Sequence, residues 1–226
     1  MAEMINNLIP NVLARWPDMW KAFGETLYMM AVSGAISFVI GLFLGVVLTV
    51  TAPGRIMQNK VLFTILDKTI NIFRSVPFII LLAALIPLTR LIVGKAIGTA
   101  GAIVPLVFGT VPFFSRQIES ALAQLDRGLI EAAESMGVSP LKIVFRVYLR
   151  ESIPGIVRGT AITFVSLVGL TAMAGAVGGG GLGDFAIRYG YQRNQVDITY
   201  ATVVILVAVV SLIQGIGNII IKKTTH

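Results

Sequence analysis

The chain has 226 residues, of which 56% are hydrophobic and only 13% are charged, and its formal net charge is +7. A water-soluble domain carries roughly 25% charged residues, and several apolar runs here approach the roughly 20 residues that cross a bilayer. The composition therefore excludes an ordinary soluble protein and predicts one integral membrane domain over residues 1–226. The basic residues are scattered along the loops, which indicates retention on the cytoplasmic side rather than nucleic-acid binding.

Cysteine and histidine usage excludes several kinds of site. The chain has no cysteine, so disulfides and thiolate metal sites are excluded. Its one histidine, His226, is the last residue and is interpreted as part of a tail rather than as a metal ligand. Residues 1–21 contain Glu3 and Asp18 and no clean apolar run, so they do not resemble a cleavable signal peptide. Insertion is expected to use the first membrane helix itself.

Five apolar segments are predicted to cross the membrane as helices. They cover residues 26–50, 70–93, 102–118, 159–177 and 200–221. Prolines and glycines within them do not argue against helices, because neighbouring helices satisfy the freed backbone groups. Between the first two segments, residues 60–73 carry apolar and polar positions at helical spacing. That pattern predicts an interfacial helix leading into the second span.

The distribution of basic residues predicts the orientation of these spans. With the N-terminus outside, twelve of the 18 Lys and Arg residues fall on inner segments and six on outer segments. Cytoplasmic loops carry an excess of Lys and Arg. The prediction is therefore an extracytoplasmic N-terminus and a cytoplasmic C-terminus. The polar insert at residues 121–158 then lies in the cytoplasm.

That insert contains a predicted helix–turn–helix. Strong helix formers precede Gly137, where a left-handed cap is expected to end the first helix. Ser139 is predicted as the N-cap of the second helix and Pro140 as its first residue. An ordered loop without further function would show the same spacing. The central residues are Glu131, Ala132, Ala133, Glu134, Ser135, Met136, Gly137, Val138, Ser139 and Pro140.

The insert resembles the EAA loop of ABC-type import permeases. The matching pattern is Glu131-Ala132-Ala133, three residues, then Gly137, followed by the apolar pair Val147 and Leu149. In that family the loop forms a short coupling helix that docks in a groove of a cytoplasmic ATPase. The resemblance therefore implies that residues 131–140 couple this chain to an ATPase. The family commonly has proline after the final leucine, whereas this chain has Arg150.

Two further stretches carry a family resemblance. Residues 71–80 resemble the second-span signature of amino-acid import permeases. The glycine-rich residues 175–183 and the five-span layout resemble the methionine-importer permeases in particular, and the similarity extends from about residue 26 onward. It implies an all-α integral membrane protein of the type I ABC importer permease fold, in a bacterial inner membrane, working by alternating access. It also implies the partners: a second copy of the permease, two ATP-binding cassette subunits, an extracytoplasmic substrate-binding lipoprotein and membrane lipids.

The chemistry of ATP hydrolysis is missing from the chain. No Gly-x-x-x-x-Gly-Lys-Ser/Thr motif is present, so ATP and magnesium are assigned to the partner ATPase and no cofactor or metal to this chain. Gly178, Gly180 and Gly183 match the dinucleotide pattern Gly-x-Gly-x-x-Gly, but they follow a membrane helix rather than a strand. A tight turn that lets helices pack is the interpretation of these glycines.

The fourth span carries a candidate wall of the translocation pathway. Its small and weakly polar residues recur at spacings of three and four, which places them on one helical face. Close helix packing explains this stripe as well as a pathway does. In the pathway interpretation, Met173 is a soft, adaptable hydrophobic gate. The candidates are Thr163, Ser166, Gly169 and Met173.

Arg74 is the basic residue closest to a predicted span interior. A charge at mid-membrane depth costs roughly 2.5–3.5 kcal/mol, so Arg74 is predicted to lie near the cytoplasmic interface. Snorkelling explains such an arginine, because its aliphatic stem can lie along apolar surface while its charged head stays in water. A role in the permease interface or gate is the functional alternative.

Three alternatives to a methionine permease remain open from the sequence. A permease for another amino acid or small solute would share the fold and mechanism. A membrane-embedded enzyme would need buried carboxylates or a nucleophile with a base, and the predicted spans contain almost no acidic residues. A non-transporting membrane scaffold would carry the insert only as a loop.

Overall fold

A computed structural model describes residues 9–224, and within them every regular element is a helix. These residues form two compact units. The first contains residues up to 35, 77–107 and 164–213, and the second contains residues 36–76, 108–163 and 214 onward. The interpretation of His226, and the part of the signal-peptide prediction that concerns residues 1–8, lie outside the described residues.

Residues 9–123 form six α-helices. Two of them are long, and the helices between them are short or amphipathic. The helices are α1 (Pro10–Ala14), α2 (Trp16–Thr51), α3 (Lys60–Ser75), α4 (Phe78–Ala84), α5 (Ile86–Val93) and α6 (Thr99–Ala123).

The C-terminal part alternates short helical segments with two long helices. Three of the short segments have π-helical hydrogen bonding. The elements are α7 (Arg127–Ser135), α8 (Pro140–Ile143), a π-helical turn (Val144–Tyr148), α9 (Leu149–Glu151), α10 (Ile153–Ala174), a second π turn (Gly175–Gly179), α11 (Gly181–Phe185), a third π turn (Ala186–Tyr191) and α12 (Val196–Thr224).

In the described part of the chain, four helices are long and apolar enough to cross a membrane: Trp16–Thr51, Thr99–Ala123, Ile153–Gly179 and Val196–Thr224. They contain the predicted spans 26–50, 102–118, 159–177 and 200–221. Pro105 and Pro112 lie within α6 without ending it. The helix α2 begins ten residues before the predicted span, and this added part contains charged residues such as Asp18 and Lys21.

The predicted continuous helix over residues 70–93 is wrong. The helix α3 ends at Ser75, Val76 is extended, α4 begins after Pro77, and a second break falls at Leu85. Proline forces the preceding residue out of the helical region, which explains Val76. A second proline, Pro87, lies in the first turn of α5, where it favours a new helix start. Residues 60–75 form the amphipathic helix expected before this segment.

The first unit has a core where α1, α2, α11 and α12 contribute side chains. Val12, Met19, Leu182, Phe185 and Ile198 are buried there. Three hydrogen bonds to Asp197 hold α1 against the start of α12. The backbone N–H groups of Asn11 and Val12 donate to Asp197 Oδ2 at 2.9 Å and 3.3 Å, and Asn11 Nδ2 donates to Asp197 Oδ1 at 3.0 Å.

The second unit is built around a close contact between α2 and α6. A Cβ atom placed on Gly45 would lie 2.7 Å from the carbonyl oxygen of Ser115 and 2.6 Å from Ile118 Cβ. One turn earlier, a Cβ on Gly41 would lie 2.8 Å from the ring of Phe114. Small residues four positions apart let two helix backbones approach closely, so these glycines set the spacing of α2 and α6.

Substituting Gly45 by alanine is expected to destabilise the protein. The added methyl meets backbone and a β-branched side chain, and overpacking of this kind costs roughly 1–3 kcal/mol. We expect G45A to lower the melting temperature of the detergent-solubilised protein, measured by the loss of its monodisperse peak on size-exclusion chromatography. G24A on the same helix is the control, because no heavy atom lies within 4 Å of a Cβ at that position. Equal melting temperatures for the two variants would contradict the contact.

Candidate functional site

The helix α7 is capped at both ends by its own sequence. The side chain of Asp126 accepts a hydrogen bond from the backbone N–H of Gly128 at 2.9 Å. At the other end Gly137 has φ +72° and donates to Glu134 O at 2.9 Å, while the N–H of Val138 donates to Ala133 O at 3.1 Å. These two bonds are the Schellman pattern. The predicted left-handed cap at Gly137 is therefore confirmed.

The second helix of the insert is short and distorted. Ser139 occupies the N-cap position and Pro140 follows as the first residue of α8, as predicted, but the Ser139 side chain makes no capping hydrogen bond. After Ile143 the helix continues as the π turn Val144–Tyr148. The insert is thus a helix–turn–helix whose second half carries one extra residue per turn.

The ten candidate coupling residues are mostly exposed. Ala133 is buried and Val138 is partly buried, and the other eight are open to solvent. Met136 is 75% exposed, and two apolar side chains of the following segment, Leu141 and Phe145, are 62% and 68% exposed. We call Met136, Leu141 and Phe145 the apolar tip. Exposed charged residues lie beside it in sequence: Arg127, Glu131, Glu134, Lys142 and Arg146.

The opposite side of the insert is anchored on α6. Ile130, Ala133, Ile143 and Tyr148 are buried in one cluster with residues of that helix, namely Phe114, Ile118 and Leu122. Tyr148 is fully buried, and its hydroxyl has no hydrogen-bond partner among the described residues. This anchor is not among the features predicted from the sequence. Ile130 and Ala133 at i, i+3 were its local signal, but their partner helix is not adjacent in sequence.

The pathway candidates on α10 have unequal environments. Gly169 is exposed, with no heavy atom within 4 Å of a Cβ at that position, and Met173 is 41% exposed. Ser166 is half-buried. Thr163 is buried, and its hydroxyl donates to the carbonyl oxygen of Gly159 at 2.8 Å. Ser166, Gly169 and Met173 therefore share the accessible side, and Thr163 makes its hydrogen bond within its own helix.

Arg74 lies in the last turn of α3 and is exposed. Within residues 9–224 it has no ion pair or side-chain hydrogen bond. A cation near a helix C-terminus interacts favourably with the helix dipole. The position suits the interface that the sequence predicts for this residue, and its role in a gate stays a prediction.

The glycine-rich turn at residues 178–183 packs against the N-terminal half of α2. The backbone N–H of Gly181 donates to Glu25 Oε2 at 2.8 Å, and that of Leu182 donates to Thr26 Oγ1 at 2.8 Å. Gly181 has φ +76°, and a Cβ there would lie 2.7 Å from Thr26 Oγ1. The glycine-rich motif thus allows close packing and left-handed backbone, which confirms its interpretation as a packing turn.

A cleft of about 400 Å³ opens beside this glycine-rich turn. Its charged lining comes from α2, the loop before α6, and the segment around α11, and it comprises three carboxylates and three cations. Asp184 and Arg188 form an ion pair at 2.8 Å. No sequence pattern predicts this cleft, because its walls are far apart in the chain. The charged residues are Asp18, Lys21, Glu25, Lys95, Asp184 and Arg188.

Comparison with known proteins connects these features to a family. The family model described as "binding-protein-dependent transport system inner membrane component" matches residues 37–226. The probable D-methionine transport system permease protein MetI of Vibrio cholerae is 47% identical over 221 residues, covering 96% of this chain and 98% of that protein. The methionine import system permease protein MetP of Bacillus subtilis is 42% identical over 217 residues, covering 96% and 97%.

Solved structures show the same similarity. A structure of the MetNI methionine ABC transporter in inward-facing conformations contains a chain that matches with TM-score 0.90 and 47% identity, covering 93% of this chain and 99% of that one. An amino acid ABC transporter crystallised with histidines matches with TM-score 0.78 and 16% identity, covering 95% and 98%. The second match shows a shared fold.

Replacing Gly137 by alanine is expected to loosen the end of α7. No atom lies within 4 Å of a Cβ there, so the cost is backbone strain at positive φ, roughly 1–2 kcal/mol. We expect faster hydrogen–deuterium exchange in peptides spanning residues 130–140 of G137A. G128A at the start of the same helix is the matched control, since Gly128 does not have positive φ. Equal exchange in both variants would show that the cap does not depend on Gly137.

Proposed function

Because the chain belongs to the family of binding-protein-dependent transport system inner membrane components, we propose that it is the permease subunit of an ATP-driven ABC importer for methionine. The observation that carries the proposal is 47% identity to a probable D-methionine transport permease over 96% of this chain. The family resemblance inferred from the EAA loop is confirmed by the family model. The chain is thus a transporter subunit rather than an enzyme, and ATP and magnesium bind to the partner ATPase.

Residues 131–140, which comprise the end of α7, the turn at Gly137 and the start of α8, are proposed to form the coupling segment. The apolar tip is exposed next to both signs of charge, and exposed apolar patches with polar rims mark protein interaction sites. The buried side, at Ile130 and Ala133, fixes the segment to α6. A displacement of the apolar tip would therefore be transmitted directly to α6. Two copies of the permease, related by a two-fold axis, would present two such tips to a pair of ATPases.

A fifth membrane crossing is proposed for α4 and α5. The hydrogen bond from Gly98 N to Gly178 O, and the cleft shared by residues 18–25 and 98–99, bring the starts of α2 and α6 to one side. The contacts of Gly45 bring the ends of these helices together. This arrangement supports a return crossing by the chain between them. Residues 78–93 form the apolar segment available, and their helical length is about 24 Å.

The orientation proposed is N-terminus outside and C-terminus in the cytoplasm. The twelve-to-six excess of basic residues on the inner segments supports it. Five crossings, an odd number, place the two termini on opposite sides of the membrane. The chain is proposed to act as one permease domain, since α2 and α10 each contribute residues to both compact units.

The substrate-binding protein is proposed to dock over the charged cleft. In the proposed orientation the cleft lies on the extracytoplasmic side. Within residues 9–224, Lys21 and Lys95 have no ion-pair partner, whereas Asp184 already pairs with Arg188. The two ammonium groups are thus available to carboxylates on the binding protein. Charge complementarity of this kind steers encounter and fixes register.

The pathway is proposed to follow the accessible side of α10. Ser166, Gly169 and Met173 are uncovered there, and a flexible thioether beside a small residue suits an apolar side chain in transit. Alternating access would cover and uncover this side. Arg74, near the cytoplasmic end, is proposed to contribute to the permease interface or gate.

Two further candidates follow from the sequence. A permease for another amino acid would keep every structural feature described, and the identity to named methionine permeases favours methionine over it. A membrane scaffold would need no coupling, so loss of uptake in G137A with normal membrane insertion would count against it.

The first test is transport by the assembled complex. We expect proteoliposomes holding this chain, its cognate ATPase and its binding protein to accumulate labelled methionine only with ATP. Unlabelled leucine and histidine in excess should leave the uptake unchanged. ATP-dependent uptake of a different solute would keep the permease and reject methionine. No uptake of any solute in a broad panel, by a correctly assembled complex, would reject transport.

The cleft is tested by charge reversal. We expect K21E/K95E to raise the concentration of binding protein that half-maximally stimulates ATP hydrolysis by at least about tenfold, because like charges would face each other. Hydrolysis without binding protein should be unchanged. R193E is the control, since Arg193 is exposed nearby but does not line the cleft. An equal effect in R193E would place the docking surface elsewhere.

A further inference from the structure

Arg116 links two helices of the second unit through one guanidinium group. It lies on α6, and its side chain is only 17% exposed. Its Nη2 donates to the carboxylate of Asp67 and, at 2.9 Å, to Asn71 Oδ1, both on α3. Its Nη1 donates to Glu119 Oε2 on its own helix at 2.6 Å. We call Asp67, Asn71, Arg116 and Glu119 the arginine clamp.

The clamp is the main polar connection that the structure shows between α3 and α6. The bonded residues are 45 and 49 positions apart, so the connection is tertiary. Arg116 Nε is buried and has no partner among the described residues. A buried charge is costly unless it is paired, and ionisable residues within apolar spans are commonly functional. The chain therefore places a charged guanidinium group, which is costly to bury, at a position where a hydrophobic contact could have joined α3 and α6.

The position of the clamp on α6 relates it to the coupling segment. Phe114, Ile118 and Leu122 recur every fourth residue and carry the buried core of the insert. At 3.6 residues per turn, Arg116 lies on the other side of the same helix, and Glu119 lies on the flank between. The same two turns of α6 thus hold the insert on one side and α3 on the other.

We propose that Arg116 is a positioning residue that makes α3 move with the coupling segment during the transport cycle. The inference rests on the proposed function, and it adds a transmission route that the coupling helix alone does not supply. A displacement of the insert shifts α6 through their shared core, and the guanidinium carries that shift to α3. Beyond Ser75 the chain is extended at Val76 and Pro77, so α3 can turn as a unit.

The chain offers a matched pair of variants. D67A/N71A removes both side-chain bonds to α3 and leaves Arg116 paired with Glu119, whereas E119A removes the bond within α6 and keeps those to α3. Each variant removes one carboxylate from the same arginine. Alanine is the best helix former, so neither change penalises its helix. The difference between them therefore reports the connection between helices rather than the loss of a charge.

The primary measurement is the amount of methionine taken up per ATP hydrolysed by the complete complex in proteoliposomes. We expect D67A/N71A to lower this ratio by about five- to tenfold, the size typical of residues that carry coupling. E119A should stay within about twofold of the unaltered complex. A purely structural role predicts instead that uptake and hydrolysis fall in proportion, together with the melting temperature, and that result would overturn the proposal.

A spin label gives a second, independent readout. The chain has no cysteine, so K68C on the exposed side of α3 can be labelled specifically when the partners are cysteine-free. We expect the mobility of this label to change when ATP binds to the complex, and to stop changing in the D67A/N71A background. An unaltered response in that background would overturn the inference. Failure of the unaltered complex to transport would instead reject the proposed function.

Discussion

The close contact of α2 with α6 is the constraint on which the second unit depends. At Gly41 and Gly45 the two helices approach until no side chain fits between them. In a bilayer, helices gain little from the hydrophobic effect and associate through such packing. Phe114 and Ile118, which meet these glycines, also belong to the core that holds the insert, and Arg116 on the other side of α6 bonds to α3. A single helix therefore carries the two polar segments that meet the cytoplasmic surface in the proposed orientation.

The first unit holds α2 by different chemistry. There the side chains of Glu25 and Thr26 accept hydrogen bonds from consecutive backbone N–H groups at the start of α11. These N–H groups have no acceptors within α11 itself, so α2 supplies the hydrogen-bond acceptors that they need. Packing of small residues thus operates along one half of α2, and polar capping along the other. Each fits its surroundings, since hydrogen-bonding groups are costly to leave unpaired in the apolar region.

Features that depend on neighbouring residues were predictable from the sequence. The cap at Gly137 and the four long apolar helices follow from local composition, and the structure confirms them. The error at residues 70–93 has a local cause too, because Pro77 and Pro87 were treated as tolerated interruptions although each marks a helix start. Longer-range features had no such signal. Arg116 and Asp67 are 49 positions apart, and only the fold brings them together.

Exposure has different meanings in different parts of this chain. On α12 the exposed side chains, such as Val204 and Leu212, belong to a helix long and apolar enough to span the membrane, where lipid covers them. Met136 and Phe145 are equally exposed but lie in a polar segment between Arg127 and Glu151, which contains none of the helices long and apolar enough to span a membrane. Water is a poor solvent for such a surface. A protein surface that covers the apolar tip would remove it from water, which agrees with the proposed role of residues 131–140 in coupling to an ATPase.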